Sequence, residues 1–188
     1  MTQTGEQWLS FYQQQGTDHK NRALIDIWTM TFDELEHTHD FIQWLFPLPE
    51  PSRINPEAPL LTPEVIVNAR QSSTIQANLE RSFDTLSAFW GFSHNHQNEI
   101  VRTGQFETQS QKWCCLSNHN QLRITRMLRC LTLLGQNSLA NKACEFLLSE
   151  VNKAGLSLTQ LPSIPFWMDA IAAEENIELT LEDFEEAG

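Results

Sequence analysis

The chain has 188 residues, 40% of them hydrophobic, six tryptophans and a formal net charge of −12. That length and apolar content suit one folded domain with a sizeable core and exclude a disordered chain. The acidic balance excludes nonspecific nucleic-acid binding, which needs phosphate-neutralising cations, and no apolar run approaches the ~20 residues that cross a bilayer.

Seven glycines and few β-branched clusters argue against an all-β fold. Met1 to Gly16 has no apolar signal core, so a soluble, cytoplasmic protein is expected. The four cysteines contain no CxxC, which predicts buried free thiols and neither a zinc ribbon nor a thioredoxin-type site. No Lys or Arg follows Lys153, while Asp169, Glu174, Glu175, Glu178, Glu182, Asp183, Glu185 and Glu186 do. The expected organisation is a helical domain over 1–173 and a solvated acidic tail over 174–188.

Thr4 to Gln15 puts Trp8, Leu9 and Tyr12 on one face, with Gly16 as the expected C-cap. A second short helix is expected over Arg22 to Met30. Thr31-Phe32-Asp33-Glu34 is a capping box, and one helix should run from it to the residue before Pro47. Phe32, Leu35, His39, Ile42 and Phe46 share its apolar stripe. Phe41, Trp44 and Leu45 make its second half apolar on most sides, so it is expected to be the buried central helix. Six of the eight prolines lie from Pro47 to Pro63, a stretch predicted to run extended over the core surface. Thr62-Pro63-Glu64 starts the next helical region, which ends at Gly91. Phe92 to Asn118 has no regular pattern and reads as a long loop. Leu122 to Gly135, Ser138 to Ala154 and Phe166 to Ala173 complete an all-α fold of about seven helices in a single compact domain.

Three groups of residues carry possible chemistry. Asp33, Glu36, His37 and Asp40 share one face of the expected central helix, where imidazole and carboxylate can bind metal or move protons; the bland alternative is a solvated polar face. His39-Asp40 is a His-Asp doublet of the kind found in metal-dependent phosphohydrolases, with His19 as a possible upstream partner, although no later Asp completes the set. His39 itself sits in the apolar stripe and is expected to be buried and satisfied. Arg123, Arg126 and Arg129, spaced by three, form a cationic row suited to phosphate or carboxylate, with His119 just before them; pairing with the chain's own carboxylates is the alternative. His94 and His96 form a further pair in the long loop. No GxSxG, Walker A or GxGxxG motif is present.

FYQQQG at Phe11 to Gly16, LEHTHDFIQWLFPL at Leu35 to Leu48, NPEAPLLTPE at Asn55 to Glu64 and LRITRMLRCLTLLG at Leu122 to Gly135 resemble the conserved N-terminal domain of the opioid growth factor receptor family. The resemblance runs from about Phe11 to Ile171. It implies opioid-peptide receptor activity, since the animal members are described as nucleus-associated receptors for met-enkephalin. Those members carry a long repeat-bearing tail and this chain has neither that tail nor a basic nuclear-targeting cluster, which points to a stand-alone microbial relative.

The resulting expectation is a non-enzymatic domain that holds a peptide or small anionic ligand through Arg123, Arg126, Arg129, His119, His39 and Trp44, without a cofactor or a metal. The alternative is a metal-dependent phosphohydrolase using His37, His39 and Asp40. A third possibility is a scaffold that only contacts other proteins.

Overall fold

Ten α-helices, a 3₁₀ turn and a two-stranded hairpin form the regular structure of residues 3–52, 55–95, 97, 99–157 and 160–172, which the computed structural model describes. The expected acidic tail and His96 lie outside the described residues. The chain is mostly helical, as its pattern predicts. Three helices beyond the expected seven arise from a break at 38–41, a break at Ser72 and a four-residue turn over 106–109. Contacts gather the chain into two compact units, Met1–Phe89 and Trp90–Gly188.

In the first unit, α1 (Gln3–Tyr12) buries Trp8, Phe11 and Tyr12 completely. The residue in the left-handed region beyond it is Gln14, with φ 59°, and not the expected Gly16. At Gly16 space is tight, since a Cβ there would fall 2.8 Å from Ser10 Oγ, which would have to turn away. After α2 (Leu24–Trp28), α3 (Phe32–His37) opens on the predicted capping box. Glu34 N donates to Thr31 Oγ1 at 3.2 Å, and Thr31 N donates to Glu34 Oε2 at 2.7 Å.

The expected single central helix is two helices. Thr38 turns extended (ψ 125°), and helix resumes only at α4 (Ile42–Leu45). Within the break, the Gln43 amide, oriented so that its nitrogen faces the two carbonyls, donates to His39 O and Asp40 O at 3.3 and 3.2 Å. These bonds satisfy backbone groups that a continuous helix would otherwise have paired. The prediction of burial holds from Phe41 to Pro47, where every residue is buried. Trp8 Nε1 donates to Trp44 O at 2.9 Å and the Tyr12 hydroxyl donates to Leu45 O at 2.5 Å, which fixes α4 against α1.

The described part of the proline-rich stretch forms no helix before Pro63: Leu48 and Leu60 make a parallel bridge, Ala58 N donates to Asn55 O at 3.1 Å across a turn, and Ala58 and Leu61 are buried. Then α5 (Pro63–Gln71) and α6 (Ser73–Trp90) follow, separated by extended Ser72. Ile75, Leu79, Phe83 and Leu86 form the buried stripe of α6, as their spacing requires.

The second unit begins at the end of α6. Gly91 adopts φ 93°, and a Cβ there would lie 2.9 Å from Phe106 Cα, so both backbone angle and space demand glycine. The region expected to be irregular holds an antiparallel hairpin, β1 (Phe92–His94) and β2 (Ile100–Arg102), in register Phe92 to Arg102. Asn95 Oδ1 closes its turn by accepting from Gln97 N and Glu99 N at 2.9 and 3.0 Å. There follow α7 (Phe106–Gln109), the 3₁₀ turn Ser110–Lys112, α8 (His119–Leu133), α9 (Asn137–Lys153) and α10 (Ile164–Ile171). The last three pack on one another.

Their core is laced by indoles and amides. Trp90, Trp113 and Trp167 are fully buried, so each indole N–H needs a partner. Trp90 donates to Asn120 Oδ1 at 3.2 Å, Trp113 to Trp90 O at 2.9 Å, and Trp167 to Gln121 O at 3.2 Å. The Gln121 amide donates to Trp113 O and Cys115 O at 3.0 and 2.8 Å and accepts from Ser163 Oγ at 3.0 Å.

Candidate functional site

The three arginines of α8 do not form one exposed row. Arg123 is only 5% exposed and donates to Asn120 Oδ1 at 3.3 Å, so it belongs to the indole and amide network of the second unit. This corrects the expectation of an exposed cationic row. Arg126 and Arg129 are half-buried. His119 is the exposed first residue of α8, and the cap is Asn118, whose Oδ1 accepts from Asn120 N at 2.9 Å.

In the first unit the structure brings Asp40 and Trp44 together through His19. The His19 ring stacks on Trp44 with centroids 5.8 Å apart and planes at 15°, and its Nε2 lies 3.5 Å from Asp40 Oδ2. Asp40 also receives Lys20 Nζ at 2.6 Å and Arg22 Nη1 at 3.0 Å. Arg22 is held in turn by buried Asp18, whose Oδ2 accepts from its Nε at 2.6 Å. Burial pushes the Asp40 carboxyl up, but the hydrogen bonds from Lys20 and Arg22 outweigh it and hold the group below its ordinary value. Two buried ring nitrogens of this cluster, Trp44 Nε1 and His19 Nδ1, have no hydrogen-bond partner.

His37 and His39 stay apart from that cluster. His39 falls in the break between α3 and α4 and is exposed, which overturns its expected burial. His37 is exposed at the end of α3, its Nδ1 2.9 Å from Asp33 O. With Asp40 committed to two cations and both histidines turned to solvent, the geometry gives no support to a phosphohydrolase built on His37, His39 and Asp40. Among the described residues, no three His, Cys, Asp or Glu side chains gather as a metal cage.

The site with the most developed geometry is a pocket of about 380 Å³ in the second unit. Arg102 from β2, Phe106 and Glu107 from α7, Cys114, and Glu150 and Lys153 from α9 line it. Glu150 is 3% exposed and lies under two cations. Arg102 Nε donates to Glu150 Oε2 at 3.1 Å, its Nη2 makes a short contact with the same oxygen, and Lys153 Nζ reaches Oε1 at 2.9 Å. Burial raises the Glu150 carboxyl, yet the Arg102 and Lys153 hydrogen bonds prevail and keep it below the ordinary glutamate value. The Arg102 guanidinium also sits 4.2 Å over the Phe106 ring and 3.3 Å from Glu107 Oε1. A concave site of this volume, with an aromatic floor and convergent charged groups, has the dimensions of a small-ligand pocket. Sequence reasoning missed Arg102, Glu150 and Lys153. Arg102 and Glu150 stand 48 residues apart, and the only local signal is the i,i+3 pair of Glu150 and Lys153.

The profile of the Opioid growth factor receptor (OGFr) conserved region matches residues 2–181. The opioid growth factor receptor of Rattus norvegicus is 34% identical over 162 residues, covering 83% of this chain and 27% of the relative. The human receptor is 34% identical over 150 residues, covering 76% and 22%. The opioid growth factor receptor-like protein 1 of Mus musculus is 30% identical over 128 residues, covering 68% and 27%. The chain thus spans about a quarter of the length of these relatives. No solved structure matches it.

Proposed function

This chain belongs to the opioid growth factor receptor family, and we propose that it is a non-enzymatic binding domain holding a peptide or small anionic ligand. The observation that carries this reading is the pocket in which Arg102 and Lys153 converge on buried Glu150 above the Phe106 ring. A ligand carboxylate would share the two cations with Glu150. The rat and human relatives are named as receptors for opioid growth factor, which makes that peptide the first ligand to try. Arg126 and Arg129 of α8 supply a second cationic surface for the same ligand. Cytoplasmic residence is part of the proposal, in keeping with four free thiols, as is a solvated acidic tail over 174–188. No helix among the described residues is long and apolar enough to cross a membrane.

Calorimetric titration of opioid growth factor into the full chain tests the reading. Binding that weakens about tenfold in Arg102→Ala, the loss of one charge-assisted contact, is the expected result. Weakening in Arg126→Ala alone moves the ligand to α8, and no heat with opioid growth factor or with an anionic peptide library overturns the binding role.

A further inference from the structure

We propose that Cys114 and Cys115 form a chelating dithiol for a soft, thiophilic ion or metalloid, a site that stands whether or not the neighbouring pocket takes a peptide. Consecutive Cα atoms are about 3.8 Å apart, so rotation about the Cα–Cβ bonds is enough to bring the two sulfurs onto one ion. Both are free and half-buried, whereas Cys130 and Cys144 are buried inside α8 and α9. Cys114 lines the pocket beside Arg102, which leaves one face of its sulfur open to an incoming ion.

The backbone that bears the pair is held at several points. Cys114 N donates to Ser110 O at 2.7 Å. The Gln121 amide clamps the carbonyls on either side of Cys114, those of Trp113 and Cys115, at 3.0 and 2.8 Å, and the Trp113 indole is anchored on Trp90 O. Much of the ordering that chelation normally requires is therefore already present in the fold. The Cys115 thiol is engaged only by a weak 3.9 Å contact to Ser117 O, so little is lost when it turns to a metal. Binding replaces two S–H bonds by two bonds to the ion and releases two protons. Burial, with Cys115 and Glu150 adding to it, raises the Cys114 thiol above its ordinary value and Arg102 opposes this only in part, so the ion's affinity for sulfur has to displace that proton. Zinc wants four ligands in a structural site, and two sulfurs suit a soft centre that is satisfied by thiolates alone.

Phenylarsine oxide is the probe. Its arsenic–oxygen group and two thiols give a cyclic dithioarsonite and one water, with arsenic trivalent throughout and no electron transferred. The full chain should take up one equivalent that resists excess monothiol and leaves on addition of ethane-1,2-dithiol. Cys115→Ser should bind about 100-fold more weakly, the usual scale of a lost second attachment, and become reversible by monothiol. Cys130→Ala should retain the stoichiometry. Should Cys115→Ser misfold, the monothiol resistance of the wild-type adduct decides instead. Sub-stoichiometric uptake by the wild type, release by monothiol, or unchanged affinity in folded Cys115→Ser overturns the site.

Discussion

Two buried polar clusters, one in each unit, are treated in opposite ways. Around Gln121, every amide and indole named above has a partner at 2.8–3.3 Å, drawn from the end of α6, α8, α10 and the 113–115 bend. Around Asp40, charges meet at close range, yet two ring nitrogens on stacked His19 and Trp44 are left unpaired. A fully satisfied network rigidifies, because in a medium of low dielectric each bond is strong and each loss is costly. A partly satisfied one marks a place where the fold tolerates strain. The Gln121 cluster is therefore the better-satisfied support, and it lies in the unit that carries the pocket.

The largest expected effect is at Gln121. Gln121→Ala removes one acceptor and two donors at once, stranding Trp113 O, Cys115 O and the Ser163 hydroxyl, at roughly 3 kcal/mol; denaturant unfolding measures it, and a loss below 1 kcal/mol would break the contrast. Next comes Asp40→Asn, at roughly 1–2 kcal/mol at pH 7. The folded carboxyl lies below its ordinary value, so its contribution is complete above the unfolded pKa and fades as pH falls through the folded one. The gap between wild type and variant should accordingly narrow as the pH falls below the ordinary carboxylate range. A gap that is constant with pH would mean Asp40 acts by packing alone. The smallest effect is a difference: Trp113→Phe should cost about 1 kcal/mol more than Trp44→Phe. Only the former strands a carbonyl partner, Trp90 O, when its indole N–H is lost. Equal losses would show that the unpaired indole of Trp44 is satisfied in solution.

Elements fixed by neighbours in sequence were legible. The capping box at Thr31 and Glu34, the stripe along α6 and the buried run from Phe41 all follow from local spacing. The break at Thr38–Phe41 was not, because the helical period continues through Phe46. At the interruption Asp40 is held by Lys20 and Arg22, 18 or more residues earlier, contacts that no local period reveals. The hairpin escaped for a related reason. Its strands have three residues each, too few for alternation to register, and its turn is set by one asparagine side chain. The arginine row was correct as a periodicity and misleading as a surface: Arg123 lies on the inner side of α8, where Asn120 receives it.

The clasp of α10 on Gln121 has a consequence for synthesis. Ser163 and Trp167 stand 42 and 46 residues after their partner. At translation rates of about 5–20 residues per second, the ribosome needs on the order of 2–9 s to deliver them. For that interval α8 has been made while the residues that cover its amide hub have not, and the nascent chain displays Trp113 and the α8 face that Trp167 will later seal. Chaperone engagement of this protein should therefore peak after α8 has emerged and end abruptly once residue 167 is free.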